Sequence, residues 1–288
     1  MSEKANLSEY TLYYSQDILD ARTALACLVE KGVTTPNQRM IDTYGSEDLK
    51  PIFGDTYLPD HLAILEHKGI ATTGSYNIAK YLDRQIAQNT LVPKSDDAVS
   101  IHNEWVQKAA DLPVQAFFLA SQNTVKKRGM LESFEKRLKQ IENVMAKDPK
   151  NKALWQEKAS YARHVINILS ADVGHINTYA TPFFDAMKDL EHALFSRDYL
   201  CGSDIYYVDI LWASVLQAMS VMGQAKMWQG GKFPRVSIFF NKMQKRPGMS
   251  ADLKEHAHYD TVKLFAKGGL FMLREKIKSI EEMRKKET

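Results

Sequence analysis

Residues 62–83 constrain the chain more than any other stretch. They run Leu62-Ala63-Ile64-Leu65-Glu66-His67-Lys68-Gly69-Ile70-Ala71-Thr72-Thr73-Gly74-Ser75-Tyr76-Asn77-Ile78-Ala79-Lys80-Tyr81-Leu82-Asp83. Leu62 to Leu65 is a short apolar run, as expected of a buried strand. Lys68-Gly69 is a turn signal, so Ile70 to Thr72 pairs back as the second arm of a hairpin. Ser75 then stands where a helix begins. Ile78, Ala79, Tyr81, Leu82 and Ile86 follow at helical spacing. A serine there caps the free N–H groups of the first turn. The same hydroxyl and N–H groups, with the positive end of the helix dipole, suit a carboxylate.

Upstream, Tyr10 to Tyr14 is aromatic and β-branched and reads as a first strand. Asp17 or Asp20 opens a helix with Ala21, Ala24, Leu25, Leu28 and Val29 on one face, closed by Gly32. Arg39 to Asp42 reads as a weak second strand. Gly45 to Asp60 is a long irregular connection. Periodicity here supports mixed α/β structure and nothing finer.

After a polar linker at Asn89–Ser95 the chain changes character. From Asp96 to Gly223 the spacing is helical almost throughout. Trp105, Ala109, Leu112 and Ala116 mark one long helix, with a kink expected at Pro113. Residues 126–158 are highly charged and only partly amphipathic. They suit a solvated arm, a partner-binding surface or a flap. Ala159 to Leu169 and Phe183 to Phe195 read as two more helices. The helix from Val208 to Gly223 is apolar nearly all round, as in a domain centre. Asp209 within it is explained if it accepts N–H bonds from the helix's own entry turn.

The 288 residues are 44% hydrophobic and 25% charged, enough to build a real core. The net charge of +3 gives no basic block that would argue for nucleic acid. Cys27 and Cys201 each lie in apolar segments and read as buried thiols. There is no apolar leader and no run of the ~20 apolar residues that a membrane span needs. A soluble, cytoplasmic protein is expected. His256 and His258 lack a third ligand near in sequence, so no metal is expected.

The strand–turn–strand–Ser–helix pattern ending Tyr81-Leu82-Asp83 resembles the end of the glutathione-binding domain of the glutathione transferase superfamily. Leu200-Cys201-Gly202 with Asp209, then Phe233-Pro234, Phe239, Met243 and Arg246-Pro247, resembles that family's second-domain signature. Together the match covers most of residues 10–249. The resemblance implies a thioredoxin-like α/β domain at 10–88, an all-α domain at 96–250 and a helical extension at 251–288. It is similar to two branches. Leu12-Tyr13 and Leu28 to Gly32 look like bacterial β-etherases, which use glutathione to cleave aryl ethers of lignin. The charged arm and Trp228-x-x-Gly231-Lys232-Phe233-Pro234 look like the ganglioside-induced differentiation-associated group, although Ala251–Thr288 has no membrane anchor.

The resemblance implies glutathione as cofactor, held by Leu62, Gly74 and Ser75. It implies Ser15 as thiol activator and a small aromatic substrate beside Tyr14, Trp105 and Ala109, with Asp209 a structural cap. It also implies a homo- or heterodimer with a transferase-like subunit. The sequence departs from the pattern at three places. Gly74 stands where the family has Glu or Gln. Ala63 stands where the family has a cis-proline, and a cis bond without proline costs about 2.5–4 kcal/mol. Asp20-Ala21 replaces the Asn-Ser of the etherase helix start, and a carboxylate beside a thiolate opposes its ionisation. The expected function is therefore β-aryl ether cleavage, with this chain as the supporting subunit of a heterodimer. The alternative is a non-catalytic scaffold that keeps the fold.

Overall fold

The computed structural model describes residues 9–15, 19–43, 45–49, 63–171 and 176–251. The elements in chain order are β1 (Tyr10–Tyr14), α1 (Leu19–Glu30), β2 (Asn37–Met40), β3 (Ala63–His67), β4 (Ile70–Thr73), α2 (Ser75–Gln85), α3 (Asp96–Ala110) and α4 (Val114–Ser121). There follow α5 (Thr124–Lys147), α6 (Lys152–Ser170), α7 (Ile176–Ala193), α8 (Tyr207–Val221) and α9 (Pro234–Gln244). The chain divides into two compact units. The expected helical extension at 251–288 lies, past its first residue, outside the described residues.

The first unit draws on Met1–Ile41, Asp60–Phe117 and Ile176–Lys254. Its sheet has the order β2-β1-β3-β4, with β1 and β2 parallel and the other pairs antiparallel. Leu12 pairs with Leu65 and Tyr14 with Ala63. Tyr10, Leu12 and Tyr14 alternate inward, as half-buried β1 requires. Lys68 and Gly69 both take positive φ and turn β3 into β4. This is the β-α-β, β-β-α order of a thioredoxin-like domain, completed by helices.

Helix α1 is buried on nearly every side because its residues are small: Ala21, Ala24 and Ala26 let neighbours approach closely. Gly32, at φ 87°, ends it in the left-handed region that glycine tolerates. Helix α8 is likewise buried from Tyr207 to Leu216. Each large apolar side chain removed from water there contributes about 1.5–3 kcal/mol. The kink expected at Pro113 is a break: α3 ends at Ala110 and α4 starts at Val114. The proline ring has no N–H to continue the ladder. Pro182, by contrast, lies inside α7, which begins before the Phe183 expected from sequence.

Two carboxylates tie the connections. Asp83, near the end of α2, accepts bonds from the Leu91 and Val92 amides at 2.9 Å and from Lys31 Nζ at 2.9 Å. Glu191 on α7 accepts from the Arg235 and Val236 amides at 2.9 and 3.0 Å, satisfying the free end of α9.

The second unit draws on Asp42–Pro59, Phe118–His175 and Glu255–Thr288. The charged arm is a helical hairpin of α5 and α6. Phe134, Ile141, Trp155, Ala162 and Val165 are buried in it. It also buries two cations, Arg137 and Lys158. The Arg137 guanidinium forks onto the Asp48 carboxylate, with Nη1 at 2.5 Å from Oδ1, and donates to the Thr43 carbonyl at 3.0 Å. Among the described residues no helix is long and apolar enough to cross a membrane.

Candidate functional site

At the start of α2, where a carboxylate was expected from a ligand, the Ser75 donors meet a carboxylate of the chain's own. Gly74, at φ 81°, precedes α2 and has no side chain with which to cap it. Its amide closes back onto the Ala63 carbonyl at 2.9 Å. Ser75, the first residue of α2, therefore begins the helix with a free N–H group. Asp20 Oδ1 accepts from the Ser75 amide at 2.8 Å and, at a shorter distance, from Ser75 Oγ. Ser75 is therefore not the cap expected from the sequence, since Gly74 holds that position and the Ser75 hydroxyl goes to Asp20. Tyr207 OH lies 2.8 Å from the same Oγ. A serine hydroxyl has one proton, and here it goes to the carboxylate. Tyr207 is then the donor to Ser75, giving a chain Tyr207 O–H to Ser75 O–H to Asp20.

Three helix starts meet in this chain, since Asp20 is second in α1 and Ser75 and Tyr207 are first in α2 and α8. A negative group there is stabilised by the positive ends of the dipoles. Burial pushes the Tyr207 phenol far above its ordinary pKa, the bond to Ser75 partly offsets this, and the Asp20 charge adds to the rise. It stays a neutral donor. Tyr76 and His102 pack around it, with ring centroids 5.0 and 6.0 Å from that of Tyr207. His102 is wholly buried, and among the described residues its Nε2 has no hydrogen-bond partner. Burial lowers its pKa, against a contact with Asn103.

The other expected site residues lie elsewhere in the core. Ser15 and Tyr14 are buried at 3% and 1% exposure. Trp105 packs edge-on against Trp212 at 5.3 Å, and its carbonyl accepts the Trp212 indole N–H at 2.9 Å. Ala109, one turn on, is also buried. Arg22 Nε donates to Gln217 Oε1 at 2.7 Å. Asp209 accepts from the Leu200 and Tyr206 amides at 2.8 and 2.9 Å, while the Tyr206 carbonyl, and no side chain, meets the Asp209 amide. Burial raises the Asp209 carboxyl to about 7, against those two bonds. Leu62, His256 and His258 lie outside the described residues, among which no cluster of metal-binding groups occurs.

Sequence reasoning missed Tyr207 and the second role of Asp20. The available signal was a charge at the start of one helix and a bare glycine before the start of another. The charge calls for donors, and the glycine offers the helix no side-chain cap.

A glutathione carboxylate would need the donors that Asp20 holds, and two carboxylates on one donor set repel. The residues present do not fit glutathione bound through Ser75.

No family model and no curated protein matches the chain. Solved structures do. The β-etherase LigF from Sphingobium sp. strain SYK-6 superposes with a TM-score of 0.63 at 18% identity, over 84% of this chain and 97% of that one. A theta class glutathione S-transferase from Xanthomonas axonopodis pv. citri, with glutathione bound, gives 0.58 at 16% identity over 86% and 98%. FzlA from C. crescentus gives 0.55 at 15% identity over 88% and 98%. The sheet order, the helix that starts at Ser75 and these superpositions agree: the chain has the fold of the glutathione transferase superfamily.

Proposed function

We propose that this chain does not turn over glutathione by itself and acts by binding another protein. The observation behind this reading is the Asp20 carboxylate on the Ser75 amide and hydroxyl. A site already satisfied by an internal anion offers a ligand no net gain in hydrogen bonds. Burial of Ser15, Tyr14, Trp105 and Ala109 points the same way. Calorimetry with glutathione on the purified chain is the test. No binding up to millimolar ligand is expected, and a dissociation constant in the low micromolar range would overturn the reading.

The superposition on the β-etherase favours a particular setting for such a protein. In that setting it is the supporting subunit of a heterodimer whose other chain carries an intact glutathione site and cleaves aryl ethers of lignin fragments. Mixing the chain with a transferase-fold subunit and assaying phenol release from a β-aryl ether tests it. Activity no higher than that of the second subunit alone would leave the scaffold role.

A further inference from the structure

Among the described residues four large apolar side chains are exposed, and two of them, Phe195 at 67% and Ile238 at 66%, meet in one open cavity. The cavity measures about 550 Å³ and lies between the loop after α7 and one face of α9. Its lining carries Arg197, Arg235 and Lys242 with one acid, Asp198, and a second acid, Glu191 on α7, lies 4.0 Å behind Arg235, leaving the cations in excess by one. We propose that this cavity docks a short acidic peptide segment of a partner protein. One apolar side chain of the segment sits between Phe195 and Ile238, and its flanking carboxylates meet Arg197, Arg235 and Lys242. This names the partner chemistry for the protein-binding reading above and rests on it.

The cations are held in place before a partner arrives. Arg235 stacks over the Phe195 ring at 4.0 Å and donates to the Phe195 carbonyl at 2.6 Å. Arg197 donates to the Leu200 carbonyl at 3.2 Å. Lys242 lies 4.2 Å over Tyr199 and reaches Asp198 at 3.4 Å. Preorganisation of this kind lowers the ordering cost of binding. The Lys242–Asp198 pair is exposed, and such pairs contribute about 0–1 kcal/mol, so exchanging Asp198 for a partner's carboxylate loses little. The local excess of positive charge disfavours a basic partner. The apolar pair favours a segment with a leucine or phenylalanine over a bare anion.

The test uses the full chain and a fluorescein-labelled synthetic peptide alternating glutamate with leucine and phenylalanine, read by anisotropy. A matched peptide with lysine for glutamate is the control. Saturable binding of the acidic peptide is expected, weakened about tenfold or more by the Arg197→Glu/Lys242→Glu pair and by Ile238→Ser. It should also weaken as salt is added. Ile238 is exposed, so Ile238→Ser removes little buried contact, and circular dichroism of each variant checks the fold. The proposal is overturned by absent saturation, by equal binding of the lysine peptide, or by folded variants that bind as wild type. Glutathione calorimetry on the same sample separates the two failures. Peptide binding absent with no glutathione bound sinks the docking surface alone, whereas tight glutathione binding sinks the protein-binding reading.

Discussion

Asp20 and Ser75, 55 residues apart in the chain, are joined twice: one carboxylate oxygen takes both the amide and the hydroxyl of the serine. Asp20→Ala leaves both donors buried without that acceptor. A loss of about 1–3 kcal/mol is expected, read by denaturant unfolding. The same variant vacates the start of α2. Calorimetry should then show heat with glutathione that wild type lacks, while the similarly shaped Asp20→Asn should not. Equal silence from both would mean that the site is closed by more than this one side chain.

Asp209 accepts two backbone N–H groups inside a helix that is buried all round. Asp209→Ala strands both. It should lower stability by about 2–3 kcal/mol, with Asp209→Asn recovering part through its remaining carbonyl oxygen. Thermal unfolding of the two variants checks the order.

The Arg137–Asp48 pair is buried on both sides. Removing one charge leaves the other uncompensated, so Arg137→Ala should cost about 3–5 kcal/mol. Arg137→Met with Asp48→Leu should cost far less than the two single changes added together. A double-mutant cycle in urea measures the difference.

His102 is neutral in the folded chain because burial lowers its pKa. In the unfolded chain it takes up a proton below about pH 6.5. The unfolded state therefore binds more protons as pH falls through that value towards the lower folded one. The His102 contribution to stability is complete above pH 6.5 and is lost below it. In unfolding curves from pH 7.5 to 5 the stability of wild type should fall relative to that of His102→Phe, which lacks the titrating group, by an amount that grows below pH 6.5. Parallel curves would assign the pH dependence to other groups.

The strands and the start of α2 were legible because their signals are local. Tyr10 to Tyr14 alternates, Lys68-Gly69 turns, and Ser75 precedes a helical face. The buried α8 was legible from its apolar surface alone. Arg137 was not, since a long charged helix gives no hint that one of its cations meets Asp48, 89 residues away. The site divided in the same way. Ser75 and Gly74 were visible as a helix start, and Asp20 was visible as an unwelcome charge. Their union depends on how α1 docks beside α2, which no local pattern encodes. Tyr207 was hidden for a related reason: an aromatic residue entering a buried helix reads as packing, and its hydroxyl finds a role only across 132 residues.

Asp83 grips the Leu91 and Val92 amides and the Lys31 ammonium with one carboxylate. The stretch between α2 and α3 is thus a splice and not a hinge. Extra residues inserted before Leu91 would pull it off its anchor, whereas a graft just after Pro93 would leave the clamp intact. Anyone fusing a reporter into this protein should cut on the far side of that joint.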